Sequence, residues 1–185
     1  MVETLVLTLV IFLVIQNFVA QPYQVKQQSM ERTLEPGQYV LVDKLTPRFG
    51  PYRRGDIVVF TPPPGWTDND TPFIKRVIGL PGDTIDVKDD GKVYANGVAL
   101  HEPYLYAVND VAQPTIAPPT QSRWVIGADQ LFVLGDHRMN SADSRSFGLI
   151  DRASVIGRGW LRYWPLDAFG IVGTPSYPEL QPTAP

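Results

Sequence analysis

Residues 73–83 read Phe73-Ile74-Lys75-Arg76-Val77-Ile78-Gly79-Leu80-Pro81-Gly82-Asp83, which places an amine inside an apolar, strand-like run that ends at a turn. An unperturbed Lys titrates near ~10.4, and burial in apolar surroundings lowers that pKa by up to roughly 3 to 5 units. Lys75 therefore has two interpretations. It is a general base, or it is a strand residue whose amine reaches solvent while its neighbours pack inward.

Further apolar runs bounded by turn residues lie on both sides of this segment. We predict strands over 38–44, 56–60, 130–134 and 154–164, because each is a short run rich in aliphatic and aromatic residues between Gly, Pro or polar turns. The chain carries 18 prolines and 15 glycines in 185 residues, which is unfavourable to long helices. The pattern predicts an all-β fold.

The composition excludes several classes of function. Hydrophobic residues make up 44% of the chain, enough for a packed core, and the net charge of -3 offers no basic face to nucleic acid. The chain contains no cysteine, so disulfides, thiolate metal sites and a Cys nucleophile are excluded together. We expect no nucleic-acid partner, no metal and no cofactor.

The N-terminal segment is uncharged from Thr4 to Val25 and mostly apolar from Leu5 to Ala20. As a helix, the 17 residues from Thr4 to Ala20 would extend about 25 Å, which is enough for a thin bilayer. We predict a single membrane anchor over 1–22. A cleaved secretory signal is the competing interpretation, but it lacks a basic leading region and has Phe18 before Ala20; a buried core helix is a third.

The rest of the chain divides into two predicted parts. Residues 23–165 form a β-rich domain, with a strand-turn insertion over about 84–128 in which 106–123 is a surface loop. Residues 166–185 form a Pro-rich C-terminal tail. The flanking charges do not orient the membrane segment, because a large trailing domain crosses a bilayer regardless of charge.

A nucleophile that Lys75 could serve is sought near the start of this domain, where Ser29 follows Gln27 and Gln28. The usual partner of a catalytic Ser is His, and His137 lies in a polar loop directly after a predicted strand, with Asp143 close by in sequence. A Ser/His/Asp arrangement of Ser29, His137 and Asp143 therefore stays open beside a Ser29/Lys75 pair.

Five ordered segments of the chain form a larger pattern. They are Ser29-Met30-Glu31-Arg32-Thr33-Leu34, Arg54-Gly55-Asp56-Ile57-Val58, the run from Lys75 to Asp83, Asn140-Ser141-Ala142-Asp143-Ser144-Arg145 with Gly148, and Gly157-Arg158-Gly159-Trp160. In this order they resemble the boxes of bacterial type I signal peptidases, the leader peptidases of family S26, which are membrane-anchored serine proteases with a Ser/Lys dyad. The resemblance covers nearly the whole chain.

The resemblance implies a fold and a location. The fold would be all-β with mainly antiparallel sheets, of the signal-peptidase/LexA-like type, preceded by an N-terminal transmembrane helix. The protein would lie in the cell membrane as a single-pass chain with its catalytic domain on the extracytoplasmic side. Its partners would be preprotein signal peptides and the lipid bilayer.

The resemblance also assigns roles to individual residues. Ser29 would be the nucleophile and Lys75 the general base, while Ser141 would hydrogen-bond and orient the Lys75 amine. Asp143 and Arg145 would form an ion pair that fixes their loop, with Arg76 joining them. Signal peptides end in small residues, so the substrate would be cleaved after small residues and bound in shallow apolar subsites. The positions expected to line these subsites are Tyr23, Val25, Met30, Leu34, Phe73 and Ile74.

The segment before Ser29 departs from the family pattern. Lys26-Gln27-Gln28-Ser29 stands where the family has Pro-Ser-Gly-Ser, and Arg32 replaces the usual Pro after the nucleophile. The candidates for binding the oxyanion are the Gln27 side chain and the backbone N–H of Ser29. His137 and Met139 also replace residues usual in the last box.

Two other functions remain possible on the sequence. One is a catalytically weak or inactive membrane-anchored β-domain of the same fold that acts in binding or assembly. The other is a self-cleaving Ser/Lys regulator, which would need a DNA-binding helix pair where this chain has its apolar segment.

Overall fold

The computed structural model describes residues 1–45, 50–67 and 71–180. The chain begins with helix α1 (Val2–Val14), passes through a π-helical turn (Ile15–Val19) and then enters the first strand. The strands, in chain order, are β1 (Ala20–Gln24), β2 (Tyr39–Asp43), β3 (Ile57–Phe60), β4 (Phe73–Gly79), β5 (Thr84–Val87), β6 (Val93–Ala95), β7 (Val98–Ala99), β8 (Ala107–Val108), β9 (Val111–Ala112), β10 (Arg123–Val125), β11 (Gln130–Leu134), β12 (Ile150–Asp151), β13 (Val155–Trp164) and β14 (Gly170–Ile171). A short helix, α2 (Ser144–Phe147), precedes β12.

The helix at the N-terminus is shorter than the sequence predicts. Helix α1 has 13 residues, which at 1.5 Å per residue is about 20 Å, and no helix in the described parts of the chain is long and apolar enough to cross a membrane. The transmembrane helix expected over 1–22 is therefore not found in the described residues. The physical reason is strand pairing: Ala20–Gln24 runs antiparallel to β2, with Ala20 opposite Asp43, so its backbone hydrogen bonds belong to a sheet.

Within the described residues, the main sheet has eight strands in the order β1-β2-β13-β3-β4-β11-β12, with β14 added on β13. Its neighbours pair antiparallel throughout the described residues, which confirms a mainly antiparallel β fold. Register shifts within β13 and between β4 and β11 curl the sheet, because each bulge bends its strand and increases the local twist.

Strand β4 lies inside this sheet and is buried on both faces. Side chains alternate along a strand, so Val77 enters the cluster around Phe60 and Val133, while Ile78 enters the cluster around Phe132. Lys75 is two residues before Val77 and is fully buried. Strand β4, which the sequence predicted to carry the Lys75 amine among apolar residues, is thus a central strand of the sheet.

The insertion forms a second sheet, in the order β10-β5-β6-β7, and a small β8–β9 hairpin. The hairpin lies where the sequence predicted only a surface loop, and its turn residues Asn109 and Asp110 have φ values of 50° and 62°. Positive φ at both central positions is the geometry of a tight two-residue hairpin turn. Trp124 and Ile85 of this sheet share a core with Phe132, so the insertion packs directly on the main sheet.

The C-terminal segment packs across the domain as far as residue 180, and residues 181–185 of the predicted tail lie outside the described residues. Tyr177 is buried, and its hydroxyl is 2.9 Å from that of Tyr104. Thr174 donates to Asp56 over 2.9 Å, and Glu179 accepts from the His101 backbone over 2.8 Å. These contacts join the main sheet to the insertion.

Candidate active site

Ser29 lies in a short 3-10 turn, Gln28–Met30, which begins four residues after the end of β1. The apolar side chains of Val25, Met30 and Leu34 are buried on either side of the turn and hold it against the sheet. The Ser29 side chain is left only 4% exposed. Its backbone carbonyl accepts a hydrogen bond from the His137 backbone over 3.0 Å.

Lys75 reaches Ser29 from strand β4, where it pairs with Val58 of β3. Its Nζ lies 2.6 Å from Ser29 Oγ and 3.2 Å from the backbone carbonyl of Ile74. The same nitrogen lies 5.2 Å from the centre of the Phe73 ring. The structure therefore brings together two side chains that are 46 residues apart in the sequence.

Burial lowers the pKa of Lys75 from 10.5 to about 8, against the opposing pull of the Asp143 and Asp136 carboxylates. The two carboxylates raise the pKa of Lys75 only to a limited extent, because each already has an arginine partner. A neutral amine at this place has a lone pair that can accept the hydrogen of the Ser29 hydroxyl. The site thus holds a hydroxyl and a base in direct contact.

Two arginine–carboxylate pairs border the lysine. Arg145 binds Asp143 through Nε and Nη2, both at 2.9 Å, which is the ion pair that the resemblance implied. Burial raises the pKa of Asp143, but Arg145 more than offsets this, so that the pKa is lowered. Arg76 does not join this pair: its Nε and Nη2 bind Asp136 at 2.8 and 2.6 Å. Arg76 lies instead beside Asp136, whose carboxylate also accepts a hydrogen bond from Thr33 next to the nucleophile turn.

Ser141 lies near the pair but does not make the expected bond to Lys75. Its hydroxyl is buried and has no partner at normal hydrogen-bond geometry within the described residues, but it lies close enough to the Asp143 carboxylate to help lower the pKa of that group. It packs against Gly135, where a Cβ would collide with both the Ser141 hydroxyl and the Ser29 carbonyl. Gly135 therefore permits the close approach of the two serine-bearing segments.

One cavity borders Ser29, and a second cavity adjoins the first at Lys26 and Gln27. One of about 750 Å³ is lined by Ser29, Gln28, Asn140 and Ser141, and one of about 240 Å³ is more apolar. The second is lined by Tyr23, Val25, Thr71, Pro72 and Ile74, among others. Gln27 lines both cavities and is exposed. Together the two cavities form a depression that runs alongside Ser29.

Half of the predicted subsite residues line the apolar cavity and half do not. Tyr23, Val25 and Ile74 lie in its wall. Met30 and Leu34 are instead fully buried in the core, and Phe73 packs on Phe60 and Trp66. The expectation for these three residues is corrected, because their side chains point into the sheet packing.

Gln28 and Arg32, which replace the family's usual Gly and Pro around the nucleophile, both fit the backbone conformation of the turn. Gln28 has no positive φ, so the position does not require the usual Gly, and its side chain accepts from Asn140 over 2.9 Å. Arg32 has a φ of 78°, which a proline ring cannot adopt. Its N–H also donates to Glu35 over 3.0 Å, a bond that proline would lose. The turn after Ser29 is therefore built differently from one that contains Pro.

The Ser/His/Asp alternative is not assembled. His137 Nδ1 lies 2.6 Å from a Glu31 oxygen, and its ring stacks on Tyr106 at 4.0 Å between centres. Asp143 is bound to Arg145, not to His137. Sequence reasoning missed Glu31, although it stands inside the nucleophile box.

An antiparallel β domain with a buried serine, a lysine amine in contact with its hydroxyl and a cavity open beside it has the arrangement expected of a serine hydrolase. The family model described as signal peptidase, peptidase S26, matches residues 1–164. The chain therefore belongs to the S26 family of signal peptidases.

The curated relatives agree with this assignment. The chain is 38% identical to a signal peptidase I of Leptolyngbya laminosa over 181 residues, covering 94% of this chain and 83% of the relative. It is 34% identical to signal peptidase IB of Staphylococcus aureus over 175 residues, covering 86% of each chain. A crystal structure of a signal peptidase I from Enterococcus faecalis V583 is 38% identical, with a TM-score of 0.47, covering 58% of this chain and 95% of that chain. The names of the curated relatives support signal peptide cleavage as the activity.

Proposed function

We propose that the protein is an active serine endopeptidase in which Ser29 is the nucleophile and Lys75 the general base. The observation that carries the proposal is the 2.6 Å contact between Lys75 Nζ and Ser29 Oγ, both of them buried. A hydroxyl is a weak nucleophile until an adjacent base takes its proton. An amine whose pKa is lowered to about 8 is neutral often enough near neutral pH to do this.

In the acylation step, Ser29 Oγ attacks the carbonyl carbon of the scissile peptide bond while its proton passes to Lys75 Nζ. The tetrahedral intermediate then breaks its C–N bond, and the Lys75 ammonium gives the proton to the departing amine. The remaining ester is hydrolysed by a water molecule whose proton Lys75 accepts, and the proton returns to Ser29 Oγ as the acid leaves. Each step uses the same base in both directions.

The negative oxygen of the intermediate needs donors. The backbone N–H of Ser29 is one candidate and the Gln27 carboxamide, which lines both cavities, is the second. Loss of one such donor typically costs about 10² to 10³ in rate. Gln27→Ala is expected to lower kcat within that range.

The remaining polar residues support the pair. Ser141 offers a buried hydroxyl without a partner at normal hydrogen-bond geometry in the described residues, which is available to the Lys75 ammonium that forms during the reaction. Asp143 with Arg145, and Arg76 with Asp136, hold the neighbouring segments by ion pairs that are nearly inaccessible to solvent. No cofactor or metal takes part in the proposed steps.

The proposed substrate is a preprotein cleaved after small residues at the end of its signal peptide. The apolar cavity of about 240 Å³ beside Ile74 and Val25 suits an apolar side chain, and the restriction to small ones rests on the resemblance to signal peptidases, whose substrates end in small residues. An extended chain in the depression would place the next carbonyl at Ser29. Replacing Ala by Leu at the cleavage site should therefore raise KM or abolish cleavage.

We further propose that the protein attaches to the cell membrane, with residues 1–19 as the single anchor and the catalytic domain on the extracytoplasmic side. The large apolar residues of α1 are exposed, among them Leu5 at 71% and Leu9 at 56%. A second exposed apolar surface follows β13, at Leu166, Phe169 and Ile171. Exposed apolar surfaces of this kind bind partners or bilayers. Removal of residues 2–19 should abolish flotation with lipid vesicles.

The decisive experiment supplies the purified protein, in detergent, with a preprotein that ends its signal in Ala-x-Ala. Wild type should release the signal peptide, and the Ser29→Ala and Lys75→Ala variants should not. Wild type that cleaves no better than both variants would favour the inactive β-domain and contradict the proposal.

A further inference from the structure

The loop that carries His137 holds the nucleophile turn on both sides of Ser29. The backbone N–H of His137 donates to the Ser29 carbonyl over 3.0 Å, and Asn140 donates to the Gln28 side chain over 2.9 Å. His137 Nδ1 lies 2.6 Å from the Glu31 carboxylate. Glu31 and Gln28 bracket Ser29 in the sequence, so the turn is held before, at and after the nucleophile.

The contact between Glu31 and His137 has a defined direction. With the Glu31 carboxylate as the acceptor, the hydrogen of this bond lies on His137 Nδ1. The two side chains are 15% and 12% exposed, which shields the bond from competing water. The ring of Tyr106 lies 4.0 Å from the imidazole with an angle of 17° between the planes. Stacking and hydrogen bond together leave the imidazole one orientation.

The charged groups next to His137 are engaged elsewhere. Asp136 is bound by Arg76, and Arg138 is bound by Glu102, in both cases with almost no exposure to solvent. Tyr106 belongs to the insertion, and the carbonyl of its neighbour Leu105 accepts from Arg32 over 2.5 Å. The insertion thus contacts the nucleophile segment directly and through His137.

We propose that Glu31 and His137 are positioning residues for Ser29, with the Tyr106 ring as the platform that holds the imidazole. They do not touch Lys75 in this geometry; they set the angle at which the turn presents Ser29 Oγ to Lys75 Nζ. The inference rests on the proposed function of that pair. Misplacement of a reacting group by about 1 Å can cost about 10²-fold in rate, so the effect belongs to kcat.

The kinetic test compares Glu31→Ala, Glu31→Gln and His137→Ala on the same preprotein, in the full chain in detergent. Glu31→Ala and His137→Ala should each lower kcat by about ten-fold or more while KM changes by less than about two-fold. Glu31→Gln should retain most of the activity, because its carboxamide oxygen still accepts from Nδ1–H. The double Ala variant should be no slower than the slower single variant, since both remove one contact.

Glu179→Ala is the matched control, because Glu179 also accepts one hydrogen bond but does so from His101, at the C-terminal segment. It should leave kcat unchanged. A structural readout separates a folding defect from positioning: NMR of isotope-labelled histidine should show Nδ1 of His137 protonated in wild type, with the signal assigned by its loss in His137→Asn. Glu31→Ala should shift this signal while the melting temperature changes little.

The outcomes are distinct. If wild type and Ser29→Ala cleave equally, the proposed function fails. If wild type cleaves, Ser29→Ala does not, and Glu31→Ala keeps the wild-type kcat, the positioning inference alone is overturned. Additive losses in the double variant, or an Nδ1 signal unaffected by Glu31→Ala, also overturn it.

Discussion

Lys75 Nζ and Ser29 Oγ lie 2.6 Å apart in a region from which solvent is almost excluded, with Lys75 fully buried and Ser29 4% exposed. This contact combines two properties that oppose each other. Burial makes the ammonium unfavourable, and the same burial produces the neutral amine that a general base requires. The free energy of folding and the rate of catalysis should therefore depend on the same proton.

The rate should rise with pH as Lys75 loses its proton. Because burial lowers the pKa of Lys75 to about 8, log(kcat/KM) should climb below pH 8 and level off above it. The measurement is the initial rate of preprotein cleavage at constant ionic strength, over roughly pH 6 to 10, a range that spans this pKa. A further limb of the pH profile that disappears in His137→Ala would instead support catalysis by the histidine.

The stability of the fold should show the complementary dependence on pH. The pKa of Lys75 is lowered in the folded state, from 10.5 to about 8, so between these values the unfolded chain binds more protons than the folded one. The free energy of unfolding therefore rises with pH across this window. Below the window, the folded state bears the full free-energy cost of burying the Lys75 ammonium. Lys75→Met should raise the free energy of unfolding at pH 7 by about 1–3 kcal/mol, and the gain should shrink toward pH 10.5.

Chemical denaturation of wild type and of Lys75→Met, both with Ser29 unchanged, at the two ends of this pH window checks this expectation. Lys92→Met is the matched control, because Lys92 is exposed and its replacement should leave stability nearly unchanged at either pH. A Lys75→Met protein that is less stable than wild type at pH 7 would show that the buried ammonium is well compensated.

Gly135→Ala should disable the site with little effect on the fold outside it. A Cβ at this position would collide with the Ser141 hydroxyl and the Ser29 carbonyl, so one serine-bearing segment must move. We expect kcat to fall by about 10²-fold, the cost of misplacing a reacting group by about 1 Å. Gly173→Ala is the control, because a Cβ there meets no atom within 4 Å. Equal kcat values for the two variants would contradict the account of Gly135.

The strands were predictable because their signal is local. β4 and β11 are short runs of β-branched and large apolar residues that end at Gly or at a Pro-Gly turn, and both are found within a residue or two of the predicted bounds. The end of α1 was not predictable in this way. Its apolar run continues past Val14, and only the pairing of Ala20 with Asp43 turns the following residues into a strand.

The candidate active site was likewise predictable only in part. Ser29 and Lys75 could be named from motifs that resemble a family, but the bond between His137 and Glu31 joins residues 106 positions apart and leaves no local pattern. Met30 and Leu34 were expected in the substrate site because their positions resemble those that line the subsites in the family. Their burial depends on how the turn packs on Val40 and Ile57, which sequence spacing does not specify.

Restoring the family's usual proline at position 32 should be harmful in this chain. Arg32 has a φ of 78°, whereas the proline ring requires about −65°, so the turn after Ser29 would have to change its path. Arg32→Pro would also remove the N–H that donates to Glu35 and the guanidinium that donates to Leu105. We expect a loss of stability greater than about 1 kcal/mol together with a loss of kcat.

Arg32→Gly separates the causes, because Gly adopts positive φ freely and loses only the guanidinium contact. Its stability and kcat should lie much closer to wild type than those of Arg32→Pro, as measured by thermal unfolding and by preprotein cleavage. If Arg32→Pro equals or exceeds wild type in both, the backbone at residue 32 does not have the positive φ on which the explanation of this departure rests.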